Sequence, residues 1–107
     1  MLTSIIVEDE KIAAERLLRL INETELNVEN KAIIESIEET VKYLNENEIP
    51  DIIFLDIHVA DSNSFELFNL IEVKSKVIFT TAYSEYGAQA FRQNAVDYLL
   101  KPIKQAE

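Results

Sequence analysis

A small set of side chains in this 107-residue sequence has the types and spacing to do chemistry. Glu8 and Asp9 are adjacent acids behind the apolar run SIIV, and Asp56 closes the run IIFLD. Thr80 and Thr81 end VIFTT, and Lys101 follows VDYLL. A charge at the end of a buried apolar run is costly unless something pairs with it or uses it. If the three carboxylates converge, they repel one another until a cation intervenes. Oxygen ligands of this kind suit a hard divalent ion, Mg²⁺ in a cell. Asp56 would then be a ligand only, or a ligand that is also a nucleophile, because carboxylates form aspartyl phosphates. Phosphoryl transfer needs a metal, a cation on the phosphoryl oxygens and a hydroxyl or amide donor. Asp9 with Mg²⁺, Lys101 and Thr81 would fill those roles, although composition alone does not choose between Thr80 and Thr81.

The elements that must position these groups are legible as alternating patterns. SIIV (4–7) is a short continuous apolar run, as expected of a strand buried on both faces. EDEKIAAERLLRLINE then has helical period through Ile12, Arg16, Leu17, Leu20 and Ile21, with Arg16 the exception on that face. The stretch 28–36 reads as a more polar strand near the sheet edge, and 37–48 as a helix through Ile37, Val41 and Leu44. Pro50 marks a break before the strand 51–55. A third helix is expected over 64–72, a strand over 77–81, a fourth helix over 84–94 and a fifth strand over 96–100. Strands alternating with helices predict an α/β domain with a parallel sheet. Ligands bind such sheets outside the carboxyl ends of the strands, the edge onto which all the chemical residues open.

Composition narrows the functions. The length fits one domain, 1–107, with a single core. No run has the apolar length to cross a bilayer, and MLTSIIVEDE has no signal-peptide layout. The absence of cysteine excludes a disulfide framework and a thiolate metal site and suits a cytoplasmic protein. A net charge of −10 opposes direct nucleic-acid binding and favours a cation or a basic partner. The chain has one glycine, Gly87, where average usage gives about seven. Glycine-rich phosphate cradles are thereby excluded, and with them a dinucleotide-binding enzyme and a P-loop NTPase, since VEDEKIAAE carries no glycine fingerprint.

The motifs IIVEDE, FLDIHVA, FTTA and DYLLKP, in this order and spacing across nearly the whole chain, resemble the receiver domain of two-component response regulators. The stretch TTAYSEYGAQAFRQNAVDYLLKPI is particularly similar to receivers of the LytTR class, which carry a C-terminal DNA-binding domain. The resemblance implies a flavodoxin-like, CheY-like doubly wound sheet of five parallel strands in the order 2-1-3-4-5. It implies that Asp56 accepts a phosphoryl group from a sensor histidine kinase, making the chain a signalling switch and not an enzyme. Asp9 would bind Mg²⁺ directly, Glu8 through water, and His58 through its backbone carbonyl. Lys101 would bridge Asp56 and the phosphoryl group, with a cis Lys101–Pro102 peptide. Thr81, chosen because the small Ala82 follows it, would be drawn toward the phosphoryl oxygens, and Tyr98 would rotate inward with it. DNA would be reached only through an output domain.

Each residue also has an ordinary structural reading. Glu8 and Asp9 suit the start of the following helix, where an acid contributes about 0.3–1 kcal/mol. Asp56 alone fits a loop acid, Lys101 a solvated lysine, Thr81 a strand-end threonine and Tyr98 a half-buried aromatic. The imidazole of His58 is a poor metal ligand here, because the chain has no second histidine. Two departures from the resembled family stand out. Ala60 and Ser64 replace the usual proline and glycine after the phosphoacceptor, so Asn63 is the residue expected to supply a left-handed turn conformation. The sequence stops at Glu107, where a fifth helix would normally begin. This predicts a fragment whose uncovered apolar face promotes dimerisation, segment swapping or aggregation. A dehalogenase-like phosphatase would want an aspartate at position 58 and its nucleophile after the first strand. The alternative function is a phosphorylation-independent receiver acting as a protein-interaction module.

Overall fold

The computed structural model describes residues 2–23, 27–59, 62–63, 66–81 and 97–100, without the side chains of residues 58, 62, 63, 81 and 97–100. The first strand, β1 (Leu2–Val7), leads into helix α1 (Lys11–Glu23), then β2 (Val28–Ile34), α2 (Ile37–Glu46) and β3 (Ile52–Asp56). Two short strands follow, β4 (His58–Val59) and β5 (Ser62–Asn63), then α3 (Leu67–Leu70), β6 (Lys76–Thr81) and β7 (Asp97–Leu100). Four strands lie parallel in the order β2-β1-β3-β6, the order expected for the first four strands. Segment β7 lies in parallel register beside β6, with Ile78 opposite Asp97 and Thr81 opposite Leu100. The expected helix over 84–94 and the residues from Lys101 onward lie outside the described residues.

The core explains why the sheet takes this form. Successive strand residues point to opposite faces, so each strand feeds two apolar layers. Ile5, Val7, Ile53, Leu55, Val77 and Phe79 pack on one face with Ile37, Leu44 and Leu67 of the helices. Ile6 and Phe54 occupy the other face with Ala14, Leu17 and Ile21 of α1. Helices therefore cover both faces of the sheet. The central strands β1 and β3 read as unbroken apolar runs because neither face meets water. Burying one such side chain contributes about 1.5–3 kcal/mol. Phe79 is fully buried and meets Phe68 in a tilted ring contact with centroids 6.1 Å apart. β2 occupies the sheet edge, as its polarity predicts, and exposes Glu29 and Lys31, which pair at 3.1 Å.

Local sequence accounts for the helix ends. Ser36 caps α2, its Oγ accepting the Glu39 backbone N–H at 3.1 Å. Thr40 is fully buried, and its hydroxyl donates to the Ser36 carbonyl at 2.7 Å. Helix α1 corrects the sequence reading. Its buried stripe is Ala14, Leu17 and Ile21, whereas Ile12 is 76 % exposed and Arg16 is also exposed. Ile12 and Arg16 lie one turn apart, on the side of the helix away from that stripe. The exception at Arg16 thus marked the solvent side.

The segment after Asp56 departs furthest from expectation. The helix predicted over 64–72 is a single turn, Leu67–Leu70, ending in extended backbone at Ile71. Its N-cap, Glu66, has helical dihedrals and makes no side-chain cap hydrogen bond. In place of a loop with Asn63 in the left-handed conformation, β4 and β5 pair antiparallel, His58 opposite Asn63 and Val59 opposite Ser62. Val59 is fully buried in the larger core cluster, which anchors this hairpin.

Candidate metal centre

The carboxyl ends of β1 and β3 are adjacent in the sheet, and the acids leave from them. The Val7–Leu55 register aligns the two strand ends, so Glu8 and Asp56 emerge side by side. The Glu8 N–H extends the ladder by donating to the Ile34 carbonyl at 2.9 Å. Connections diverge here, α1 leading to β2 on one side and α2 returning to β3 on the other. Crevices at such a switch point are where open α/β sheets bind ligands.

Carboxylate oxygens of Glu8, Asp9 and Asp56 lie within 4.8 Å of one another. Glu8 is 5 % exposed and Asp56 8 % exposed, while Asp9 faces solvent. Two nearly buried acids beside a third form an all-oxygen donor set with one open side. That matches a hard cation that retains water ligands, as Mg²⁺ does. The cluster can therefore hold a divalent metal ion. Glu8 also performs the helix-start role, its Oε2 accepting the Glu10 backbone N–H at 3.2 Å.

The structure brings together three of the predicted site residues, Glu8, Asp9 and Asp56. His58 lies in β4 with its backbone paired to Asn63, and its side chain is outside the described set. Thr81 ends β6 and Tyr98 sits opposite Phe79 in β7, both known here by backbone position only. Lys101 lies outside the described residues. A residue the site reading left aside, Thr80, stands directly opposite Asp56 in the β3–β6 register and is 2 % exposed. Parallel pairing was the signal that could have found it, because aligned residues on neighbouring strands project to the same face.

An open parallel α/β sheet with helices on both faces and an acid cluster at its switch point defines the class of fold. Residues 5–107 match the family model described as the response regulator receiver domain. The chain is 38 % identical over 106 residues to the sensory transduction protein LytT of Bacillus anthracis, covering 96 % of this chain and 42 % of that one. It is 39 % identical over 105 residues to the transcriptional regulatory protein LytR of Staphylococcus aureus, covering 95 % and 42 %. Among solved structures it resembles the response regulatory domain of mrkE from Klebsiella pneumoniae, with a TM-score of 0.85 and 34 % identity over 97 % of this chain and 86 % of that one. The chain belongs to the response regulator receiver family, the phosphorelay switch module of two-component systems. It spans about two fifths of the length of the curated relatives. Membership makes it a signalling switch module. No helix among the described residues is long and apolar enough to cross a membrane.

Proposed function

We propose that this chain is a metal-dependent phosphoacceptor switch, with Asp56 the residue modified. An Asp56 carboxylate oxygen attacks the phosphorus of the kinase phosphohistidine. An O–P bond forms, the P–N bond breaks, and the leaving imidazole nitrogen keeps the electron pair and takes a proton from solvent. Glu8, Asp9 and Asp56, with the His58 backbone carbonyl, would hold a divalent ion, which would supply charge neutralisation at the phosphoryl oxygens. Lys101 places its ammonium on the same oxygens, and Thr81 supplies a hydroxyl donor. The modification adds about −1.5 to −2 charges at the strand end. Thr81 and Tyr98 respond, biasing the surface around β6 and β7 toward different partner contacts. The observation that carries this reading is the gathering of Glu8, Asp9 and Asp56 within 4.8 Å at the switch point.

The wider reading is supported by the similarity to LytT and LytR. The domain is a five-stranded doubly wound receiver in the order 2-1-3-4-5, working in the cytoplasm. In the full protein it controls a C-terminal LytTR-type DNA-binding domain, through which alone DNA is contacted; the chain by itself forms a homodimer through its uncovered apolar face. The test is incubation with Mg²⁺ and acetyl phosphate, read by intact mass. One phosphoryl group is expected on the wild type and none on Asp56→Asn. Labelling that persists in Asp56→Asn overturns the assignment, and no labelling of the wild type favours a phosphorylation-independent interaction module.

A further inference from the structure

β2 changes register against β1 halfway along its length. Ser4 stands opposite Asn30 but Ile5 opposite Ala32, so Lys31 is the extra residue of a β-bulge. Alternation explains why the bulge is needed. In a straight ladder Lys31 would oppose Ile5, which is fully buried in the larger core cluster. With the extra residue, the Lys31 side chain is 46 % exposed and pairs with Glu29 at 3.1 Å. Ala32 and Ile34 then share a face with Ile5 and Val7 and pack in the same cluster. A slip of one residue would send all of them to the opposite face.

A chain of hydrogen bonds closes across the bulge. The buried Ser4 hydroxyl donates to Asn30 Oδ1 at 3.0 Å. Asn30 Nδ2 donates to the Ala32 carbonyl at 3.2 Å, spanning Lys31. One side-chain amide thus ties both sides of the bulge to the neighbouring strand. Past the bulge the register runs through Ile6–Ile33 and Val7–Ile34, and the Ile34 carbonyl then accepts the Glu8 N–H at 2.9 Å. Glu8 is one of the three clustered acids. β2 lies at the sheet edge and pairs with β1, so its last three residues depend on the bulge for their register.

We propose that Asn30 is a positioning residue for Glu8 and, through it, for the divalent ion: its amide fixes the bulge that delivers the Ile34 carbonyl to the Glu8 N–H. This rests on the reading of the acid cluster as a metal site. Asn30 stands opposite Ser4, four residues before Glu8, or about 13 Å along the strand. That is too far to ligate the ion, so Asn30 acts through register.

Asn30→Asp keeps the acceptor for Ser4 and removes the donor to Ala32. Mg²⁺ affinity by calorimetry is expected to fall about three- to ten-fold, less than the roughly 10–100-fold typical of groups that bond a ligand directly. The added negative charge alone would raise cation affinity, so a fall reports register. Amide hydrogen exchange at Glu8 should quicken by about ten-fold or more while Phe54 in β3 stays within about two-fold, whereas a loss of global stability would quicken both. Deleting Lys31 removes the bulge and leaves Ala32 opposite Ile5, so Asn30→Asp in that background should change Mg²⁺ affinity by less than about two-fold. Linkage requires the reverse effect in the wild type, where saturating Mg²⁺ should slow exchange at Glu8 and at the Asn30 side-chain amide. Unchanged Mg²⁺ affinity or unchanged Glu8 exchange in Asn30→Asp overturns the proposal, leaving Asn30 a local brace of the edge strand. An equal fall in the Lys31-deleted background overturns it too. Should either variant fail to fold, the wild type decides, and exchange at the Asn30 amide that ignores Mg²⁺ overturns the proposal. A wild type that binds no Mg²⁺ counts against the metal reading, and Glu8 exchange in Asn30→Asp then decides on Asn30 alone.

Discussion

Removing the Asp56 charge should make the metal-free protein more stable. Glu8, Asp9 and Asp56 hold carboxylate oxygens within 4.8 Å of one another, and two of the three residues are nearly buried. At that separation each like-charge pair costs about 0.9 kcal/mol in bulk water and about 3.5 kcal/mol at an effective dielectric of 20. Asp9 faces solvent, so its pair with Asp56 belongs near the low end, whereas the Glu8–Asp56 pair belongs higher. Any cationic neighbour of Asp56 reduces the total, so Asp56→Asn is expected to gain about 1–3 kcal/mol in chelator. Magnesium should reverse the ranking. At a concentration 100 times the dissociation constant, Mg²⁺ stabilises the wild type by about 2.7 kcal/mol. The variant lacks one ligand and should gain far less. Urea unfolding of both proteins, with EDTA and with Mg²⁺, reads all four quantities. Equal stability in EDTA together with equal response to Mg²⁺ would refute the reasoning, because the acids would then form neither a strained cluster nor a metal site.

Other expectations concern the scaffold and the switch. Phe79→Ala should destabilise by about 3–5 kcal/mol in denaturant unfolding, since a fully buried ring in contact with Phe68 leaves a cavity. Ser36→Ala should cost about 0.5–2 kcal/mol by removing the α2 cap, also read by denaturant unfolding. Lys101→Ala should bind Mg²⁺ normally in calorimetry yet fail to propagate phosphorylation, read as loss of phosphorylation-dependent shifts in the amide spectrum of β6.

Much of the framework can be read from composition along the chain. The strands stand out because buried parallel strands are unbroken apolar runs, as SIIV and IIFL are. The edge position of β2 is legible in VENKAII, whose charges at Glu29 and Lys31 would be costly on an inner strand. The acids are legible because they interrupt apolar runs where strands end, and topology brings those ends together. The solvent side of α1 was less clear, because Ile12 is apolar and only neighbouring Arg16 marks its exposure. The β4–β5 hairpin has two residues per strand, too few for alternation to register, and its anchor Val59 reads equally well in a loop. Helix α3 ends before the expected boundary because the backbone is already extended at Ile71, a feature of conformation and not of apolar spacing. Thr80 was weighed and set aside in favour of Thr81, because its alignment with Asp56 exists only across the register of two strands far apart in sequence.

The most direct test is chemical mapping of the modified residue. An aspartyl phosphate is an acyl phosphate, and borohydride reduces it to homoserine at the site of attachment. After treatment with acetyl phosphate and Mg²⁺, then borohydride and proteolysis, peptide sequencing by mass should find homoserine at position 56 and unaltered aspartate at position 9. Homoserine at any other position, with aspartate intact at 56, would contradict the account.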